Sequence, residues 1–240
     1  MTAVILAAGV GSRLRPITAS LPKCLLPVGG VPLLQRTLGA FPPGAVQRAV
    51  IVAGFRQEMV RAFAASLRLP FPLIFVENRR YEETNNNMSL WLAAAECAGD
   101  TMLLLDSDIL FHRDIVARLL ASPEESVLSL RENTAGNPEE IKVAAASGGR
   151  VLRIGKEVPA EESAGESLGI ERFSAEATGR LFDILARRKS RNEFYEASFQ
   201  ELIDGGTQVY AVACGDLPCI EIDTEEDLRE AERLAAEARL

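Results

Sequence analysis

Leu6-Ala7-Ala8-Gly9-Val10-Gly11-Ser12-Arg13-Leu14-Arg15-Pro16, followed by Pro22-Lys23, concentrates small residues and cations directly after an apolar run. Small residues at Ala7, Ala8, Gly9 and Gly11 let the backbone come close to a ligand, and N–H groups in such a loop bind phosphate oxygens. Arg13 and Lys23 would add full positive charges beside those amides. The dinucleotide fingerprint G-x-G-x-x-G is a poor match, because Leu14 stands where its third glycine would be, and no Gly-Lys-Ser/Thr follows to make a P-loop. On spacing alone, a tight turn with surface basic residues is the alternative.

Two acidic clusters could complete a phosphate site. Leu103-Leu104-Leu105-Asp106-Ser107-Asp108 ends an apolar run in a carboxylate pair, and Asp106 and Asp108 share a face if the strand period persists. Far along the chain, Ile220-Glu221-Ile222-Asp223-Thr224 offers another carboxylate before a helix. Mg²⁺ is commonly held by one or two carboxylates plus substrate phosphates, so Asp108 and Asp223 would suffice. A turn residue at Asp108 and an N-cap at Thr224 is the plainer reading, and capping is compatible with metal binding next door. Asn85-Asn86-Asn87 offers amides suited to a pyrimidine edge or phosphate oxygens at a helix start. Trp91, the only tryptophan, follows Asn87 by one turn, and with Tyr195, Glu193 and Glu196 it could cage an ammonium group. Trp91 as core and Tyr195 at a solvated helix start fit equally well. His112 is a lone histidine, and Arg187-Arg188-Lys189-Ser190-Arg191 reads as a solvated helix end.

The elements that must hold these residues are legible from periodicity. Continuous apolar runs at 3–7, 49–52, 73–76 and 102–105 read as buried strands, with helix patterns at 33–41, 57–66 and 88–97 between them. Such alternation implies a Rossmann-like α/β three-layer sandwich with a mostly parallel mixed sheet, whose ligands collect at the carboxyl ends of the strands. Beyond about residue 110, strands at 126–130, 141–145, 150–154, 167–173 and 208–212 are expected, with helices at 175–188, 194–204 and from about 224. The Glu-rich stretch 157–166 is the candidate for a mobile loop. The 240 residues predict one domain over 1–240.

Composition bounds the partners. A net charge of −8 opposes nucleic acid and anionic membrane surfaces outside a local basic pocket. Cys24, Cys97, Cys214 and Cys219 have neither zinc-site spacing nor the density of a disulfide scaffold, which favours a reduced, cytoplasmic setting. The opening Met-Thr-Ala-Val-Ile-Leu has no basic lead and its apolar run stops at Gly9, so neither a signal segment nor a membrane span is expected.

The run from Leu6 to Pro16 with Pro22-Lys23 resembles the L-x-x-G-x-G-x-R-L-x-P...P-K signature of nucleotidyltransferases, which join a nucleoside triphosphate to a phosphorylated small molecule. Thr84-Asn85-Asn86-Asn87-Met88-Ser89-Leu90-Trp91-Leu92-Ala93 is similar to a segment of cytidylyltransferases acting on phosphocholine and 2-aminoethylphosphonate. The resemblance runs along nearly the whole chain. It implies a nucleotide-diphospho-sugar transferase-like fold, with a nucleotide-binding half at about 1–110 and an acceptor-binding half at about 111–240, and a CTP site at Leu6, Ala8, Gly9, Gly11, Ser12, Arg13, Lys23, Asn85 and Asn86. Lys23, Arg13 and Asp108 would be catalytic, and Mg²⁺ would sit on Asp108 and Asp223. It places a small phosphate or phosphonate acceptor near Asn87, Trp91, Lys156, Glu166, Glu171, Tyr195 and Glu196. Lys156 stands where sugar nucleotidyltransferases carry an E-K-P lysine, although the segment here reads Ile154-Gly155-Lys156-Glu157. The alternatives are a sugar-1-phosphate nucleotidyltransferase and a non-catalytic nucleotide-binding module. A homo-oligomer is compatible with either.

Overall fold

The computed structural model describes residues 1–132 and 140–237. Its centre is a nine-stranded sheet running Val151–Gly155, Lys142–Ala145, Gly165–Phe173, Met102–Asp106, Thr2–Ala7, Arg48–Ala53, Leu73–Glu77, with Val127–Arg131 and Tyr210–Ala213 branching from Gly165–Phe173. The continuous apolar runs form the parallel part, in which Leu6 lies opposite Val52 on one side and Asp106 on the other. Their carboxyl ends are therefore level, so loops leaving Ala7 and Asp106 emerge together. Gly165–Phe173 runs antiparallel to Met102–Asp106 and makes the sheet mixed.

Alternation along each strand divides the core between the two faces. Ala3, Ile5, Ala49, Ile51, Leu103 and Leu105 meet helices Leu33–Gly39, Gln57–Ser66 and Asp114–Ala121 through Leu34, Leu38, Val60, Ile115 and Leu119. Val4, Leu6, Val50, Val52 and Leu104 meet Asn86–Leu92, Ala175–Arg187 and Glu196–Asp204 through Leu90, Leu181, Leu185, Phe199 and Leu202. Burying one such large side chain contributes roughly 1.5–3 kcal/mol, so the three layers are held by both faces. A third cluster, Leu14, Leu26, Val28, Leu33, Leu110, Ile222 and Ala231, ties the glycine loop to the final helix Glu225–Ala236.

The helical and loop regions differ most from the sequence expectation, and short strands Pro27–Val28, Val31–Pro32 and Ile109–Phe111 are added to it. The helix expected over 88–97 begins at Asn86, ends at Leu92 and is followed by a separate turn Ala94–Cys97. Helix Asp114–Ala121 is additional to the expected elements, although Ile115, Val116 and Leu119 have helical spacing and are fully buried. The stretch expected to be a mobile loop is tied at both ends. Ala160–Glu162 forms a 3₁₀ turn, and Gly165 already belongs to a strand because Ala164 and Ser167 donate N–H bonds to Val143 and Ile141. Among the described residues no helix is long and apolar enough to cross a membrane. All four cysteines are free thiols.

Candidate active site

The loop after the first strand is shaped by two residues. Gly11 takes φ +59, which suits glycine, and its carbonyl accepts the Thr18 hydroxyl at 2.6 Å. Leu14, the residue that breaks the dinucleotide fingerprint, is fully buried and anchors the loop in the third core cluster. Between these points the small residues line a cleft, with Leu6, Ala8 and Gly9 on one wall and Gly11, Ser12, Arg13 and Lys23 on the next.

A two-stranded ribbon explains how carboxylates distant in sequence meet there. Ile109–Phe111 pairs antiparallel with Cys219–Glu221, placing Glu221 opposite Ile109, and the Ile222 N–H donates to the Asp108 carbonyl at 3.0 Å. Asp223 is then fixed by the start of the final helix. Thr224 is the N-cap of a capping box, and the Asp227 carboxylate accepts the N–H groups of Asp223 and Thr224. The Lys23 Nζ lies 2.7 Å from both Asp108 and Asp223, and Arg13 reaches Asp223 at 2.5 Å. Burial of Lys23 opposes its charge, but the two carboxylates outweigh burial and hold the ammonium above its ordinary pKa. Asp108, Glu221 and Asp223 offer oxygens within 4.8 Å of one another. Although Glu221 is exposed as a residue, removal of its carboxyl from bulk water and then the charges of Asp108 and Asp223 push it up to about 8.

Next to this cluster the cleft continues over a different surface. Asp106 and Tyr195 share a hydrogen bond of 2.7 Å from the tyrosine hydroxyl, and Glu196 lines the same cavity with Arg131, Lys156 and Glu166. Gly169 lets the neighbouring strand pass closely, because it has φ +69 and a Cβ there would stand 2.9 Å from the Asp106 Oδ2. Burial raises Asp106 and Glu171 well above the carboxylate range, reinforced by Asp108 for the former and by Asp106 for the latter. Burial likewise takes Glu196 up to about 7 and raises Glu166 against the pull of Arg131.

Asn85 caps its helix by accepting from the Asn86 N–H at 2.8 Å, and the Asn86 side-chain oxygen accepts the Tyr195 N–H at 2.8 Å. Both asparagines line the cleft, as do Asp108, Asp223, Lys156, Glu166, Tyr195 and Glu196. Asn87, Trp91 and Glu171 do not line it. Asn87 is buried and donates to the Ser190 carbonyl, and the Trp91 ring lies beneath the Arg191 guanidinium at 4.5 Å. Glu171 is buried behind the floor, where Ser167 donates to it. The expected aromatic cage is therefore not assembled, because Tyr195 is buried against Phe199 and Glu193 pairs with Arg188.

Arg131, Tyr81, Phe194 and Gly169 also line the cleft, beyond the residues that the sequence singles out, as do Asp106 and Glu221, which stand in its two acidic clusters without an assigned role. For Glu221 a signal exists, since strand period two puts it on the same face as Asp223. Arg131 carries only its place at the carboxyl end of an expected strand.

A model of the MobA-like NTP transferase domain family matches residues 3–168. The CMP-5'-(3-aminopropyl)phosphonate synthase of Streptomyces rubellomurinus is 30% identical over 96% of this chain, which spans only 38% of that longer relative. The CTP:phosphoglutamine cytidylyltransferase of Campylobacter jejuni is 26% identical over 95% of this chain and 98% of its own length. Among solved structures, the inositol-1-phosphate CTP transferase from T. maritima superposes with a TM-score of 0.80 at 22% identity, covering 98% of this chain and 94% of that one. That likeness shows the fold. With the glycine loop and the parallel core of the sheet inside the matched region, the chain belongs to the MobA-like NTP transferase domain family.

Proposed function

We propose that the protein is a Mg²⁺-dependent cytidylyltransferase that moves CMP from CTP to a small phosphate or phosphonate bearing an amino or trimethylammonium group. The observation that carries the reading is Lys23 held between Asp108 and Asp223 beside the glycine loop, with a second charged cavity adjoining. The names of the relatives, which include cytidylyltransferases of aminoalkyl phosphonates and of phosphoglutamine, support the choice of nucleotide.

The acceptor needs no general base, because a phosphate monoester with its second pKa near about 6 is already ionised at neutral pH. Its oxygen attacks the α-phosphorus in line, a new P–O bond forms, and the bond to the bridging oxygen breaks with its electron pair leaving on pyrophosphate. The all-oxygen set Asp108, Glu221 and Asp223 fits a hard cation. When bound, Mg²⁺ supplies charge neutralisation at the triphosphate. The glycine-loop N–H groups orient the phosphates, and Lys23 and Arg13 offset the negative charge that grows on the leaving group.

The test is pyrophosphate release, with and without Mg²⁺, across four ribonucleoside triphosphates against phosphocholine, 2-aminoethylphosphonate and glucose 1-phosphate. Mg²⁺-dependent release with CTP and an ammonium-bearing acceptor is expected. Release confined to glucose 1-phosphate would make the protein a sugar nucleotidyltransferase, and CTP binding without release would make it a binding module.

A further inference from the structure

The cavity beyond the carboxylate triad has a floor of hydrogen-bond acceptors. Glu196 is 8% exposed, and its Oε2 is buried with no hydrogen-bond partner among the described residues. Asp106, on the same floor, accepts the Tyr195 hydroxyl through one oxygen, whereas a carboxylate has about four acceptor positions. Glu171 stands behind them with a second buried, unpartnered Oε2. A buried oxygen left unpaired is costly, so the Glu196 oxygen beside Asp106 at the cavity calls for a donor-rich cation. On its arrival the carboxyl would give up the proton that burial makes it keep.

The two kinds of ammonium differ in what they ask of a protein. A primary ammonium presents three N–H donors; a trimethylammonium presents none and is held by aromatic faces. Here the neighbouring rings are engaged elsewhere. The Phe194 ring carries the Lys156 ammonium at 5.0 Å, Tyr195 stacks on Phe199 at 4.8 Å, and Trp91 lies under Arg191.

We propose that this chain selects a primary-ammonium acceptor over a quaternary one, with Glu196 and Asp106 receiving the ammonium while Arg131 and Lys156, lining the same cavity, carry the opposite charge. The inference rests on the cytidylyltransferase reading and narrows its acceptor class. Glu196 is the specificity-determining residue, since its unpartnered oxygen is the one that N-methylation of the acceptor would deprive of a donor.

The experiment measures kcat/KM with saturating CTP and Mg²⁺ for phosphoethanolamine, its N-methyl and N,N-dimethyl derivatives, and phosphocholine, with glucose 1-phosphate as a control. The expected result is a stepwise fall reaching about tenfold or more at full methylation, the scale of one lost charged hydrogen bond. Glu196→Gln should lower kcat/KM through KM for phosphoethanolamine by more than for phosphocholine, flattening the series. Phosphocholine turning over as well as or better than phosphoethanolamine would overturn the selection while leaving the cytidylyltransferase reading intact. No release from CTP with any of these ammonium acceptors or with 2-aminoethylphosphonate, or release with glucose 1-phosphate alone, would remove that reading and the selection with it. The wild-type series needs no variant, so a poorly folding Glu196→Gln protein does not protect the idea.

Discussion

The nucleotide side and the acceptor side of the cleft treat charge in opposite ways. On the nucleotide side cations meet carboxylates directly: Lys23 bridges Asp108 and Asp223, and Arg13 adds a second cation to Asp223. On the acceptor side Asp106, Glu171 and Glu196 are buried together, and burial leaves all three carboxyls raised. Asp108 and Asp223 are therefore matched by cations while Glu221 beside them is raised, and on the acceptor side Arg131 is paired to Glu166. On the proposed reading the two substrates would be recognised by different physics, ion-paired cations for one and stored carboxylate desolvation for the other.

The largest effect expected is on the matched side. Lys23→Ala should lower kcat by about a hundredfold or more, as loss of a preorganised donor does. The same change leaves Asp108 and Asp223 facing each other without the lysine between them, so thermal unfolding should also move down. Wild-type turnover in a folded Lys23→Ala protein would show that the ion-pair cluster is scaffolding. The next effect is on the other side. Gly169→Val forces a side chain into φ +69 with its Cβ 2.9 Å from the Asp106 Oδ2. Strain of about 1–3 kcal/mol in that strand should raise the acceptor KM by roughly tenfold, with CTP affinity by calorimetry changing little. An equal loss of CTP affinity would mean that the two sides are not separable.

The same contrast explains which parts of the molecule are legible in the amino-acid sequence. The parallel strands and the glycine loop follow from local patterns: continuous apolar runs, small residues in succession, a basic residue a short distance on. Asp223 is legible because a capping threonine follows it. Of the acceptor floor, Tyr195 and Glu196, adjacent at the start of one helix, are named from the sequence. Nothing local shows that they meet Asp106 and Gly169 across antiparallel pairing and long connections. No window of sequence contains that neighbourhood. Trp91 shows the converse, since helical spacing puts it near Asn87 but carries no sign that Arg191 covers its ring.

A smaller effect appears in stability against pH. Burial raises the Glu196 carboxyl from 4.5 to about 7, so the folded protein keeps a proton that the unfolded chain has released. Stability from this group is therefore full below about pH 4.5, falls as pH rises through the interval to about 7, and is lowest above it, by on the order of 3 kcal/mol if the whole shift is expressed. Glu196→Gln removes the titration. Its Tm relative to wild type should rise by several degrees between pH 4 and pH 8 in scanning calorimetry without acceptor. A difference independent of pH would mean that Glu196 is solvated and that the acceptor floor stores no desolvation.

The smallest effect expected on activity belongs to the residue whose type looks most suited to an ammonium. Trp91 is only partly buried, packs at the edge of the second core cluster and carries Arg191 over its ring. Trp91→Ala removes that packing and a cation–π contact of about 0.5–1 kcal/mol, so Tm should fall. An acceptor reaching the ring face that Arg191 covers would first have to displace that guanidinium, so the acceptor KM should stay within about twofold of wild type even as stability drops. A selective rise in KM for a trimethylammonium acceptor would show that Arg191 yields its place to substrate. In that case aromatic recognition would operate on the acceptor side after all, and the contrast between fixed cations and desolvated carboxylates would have to be redrawn around a third mode.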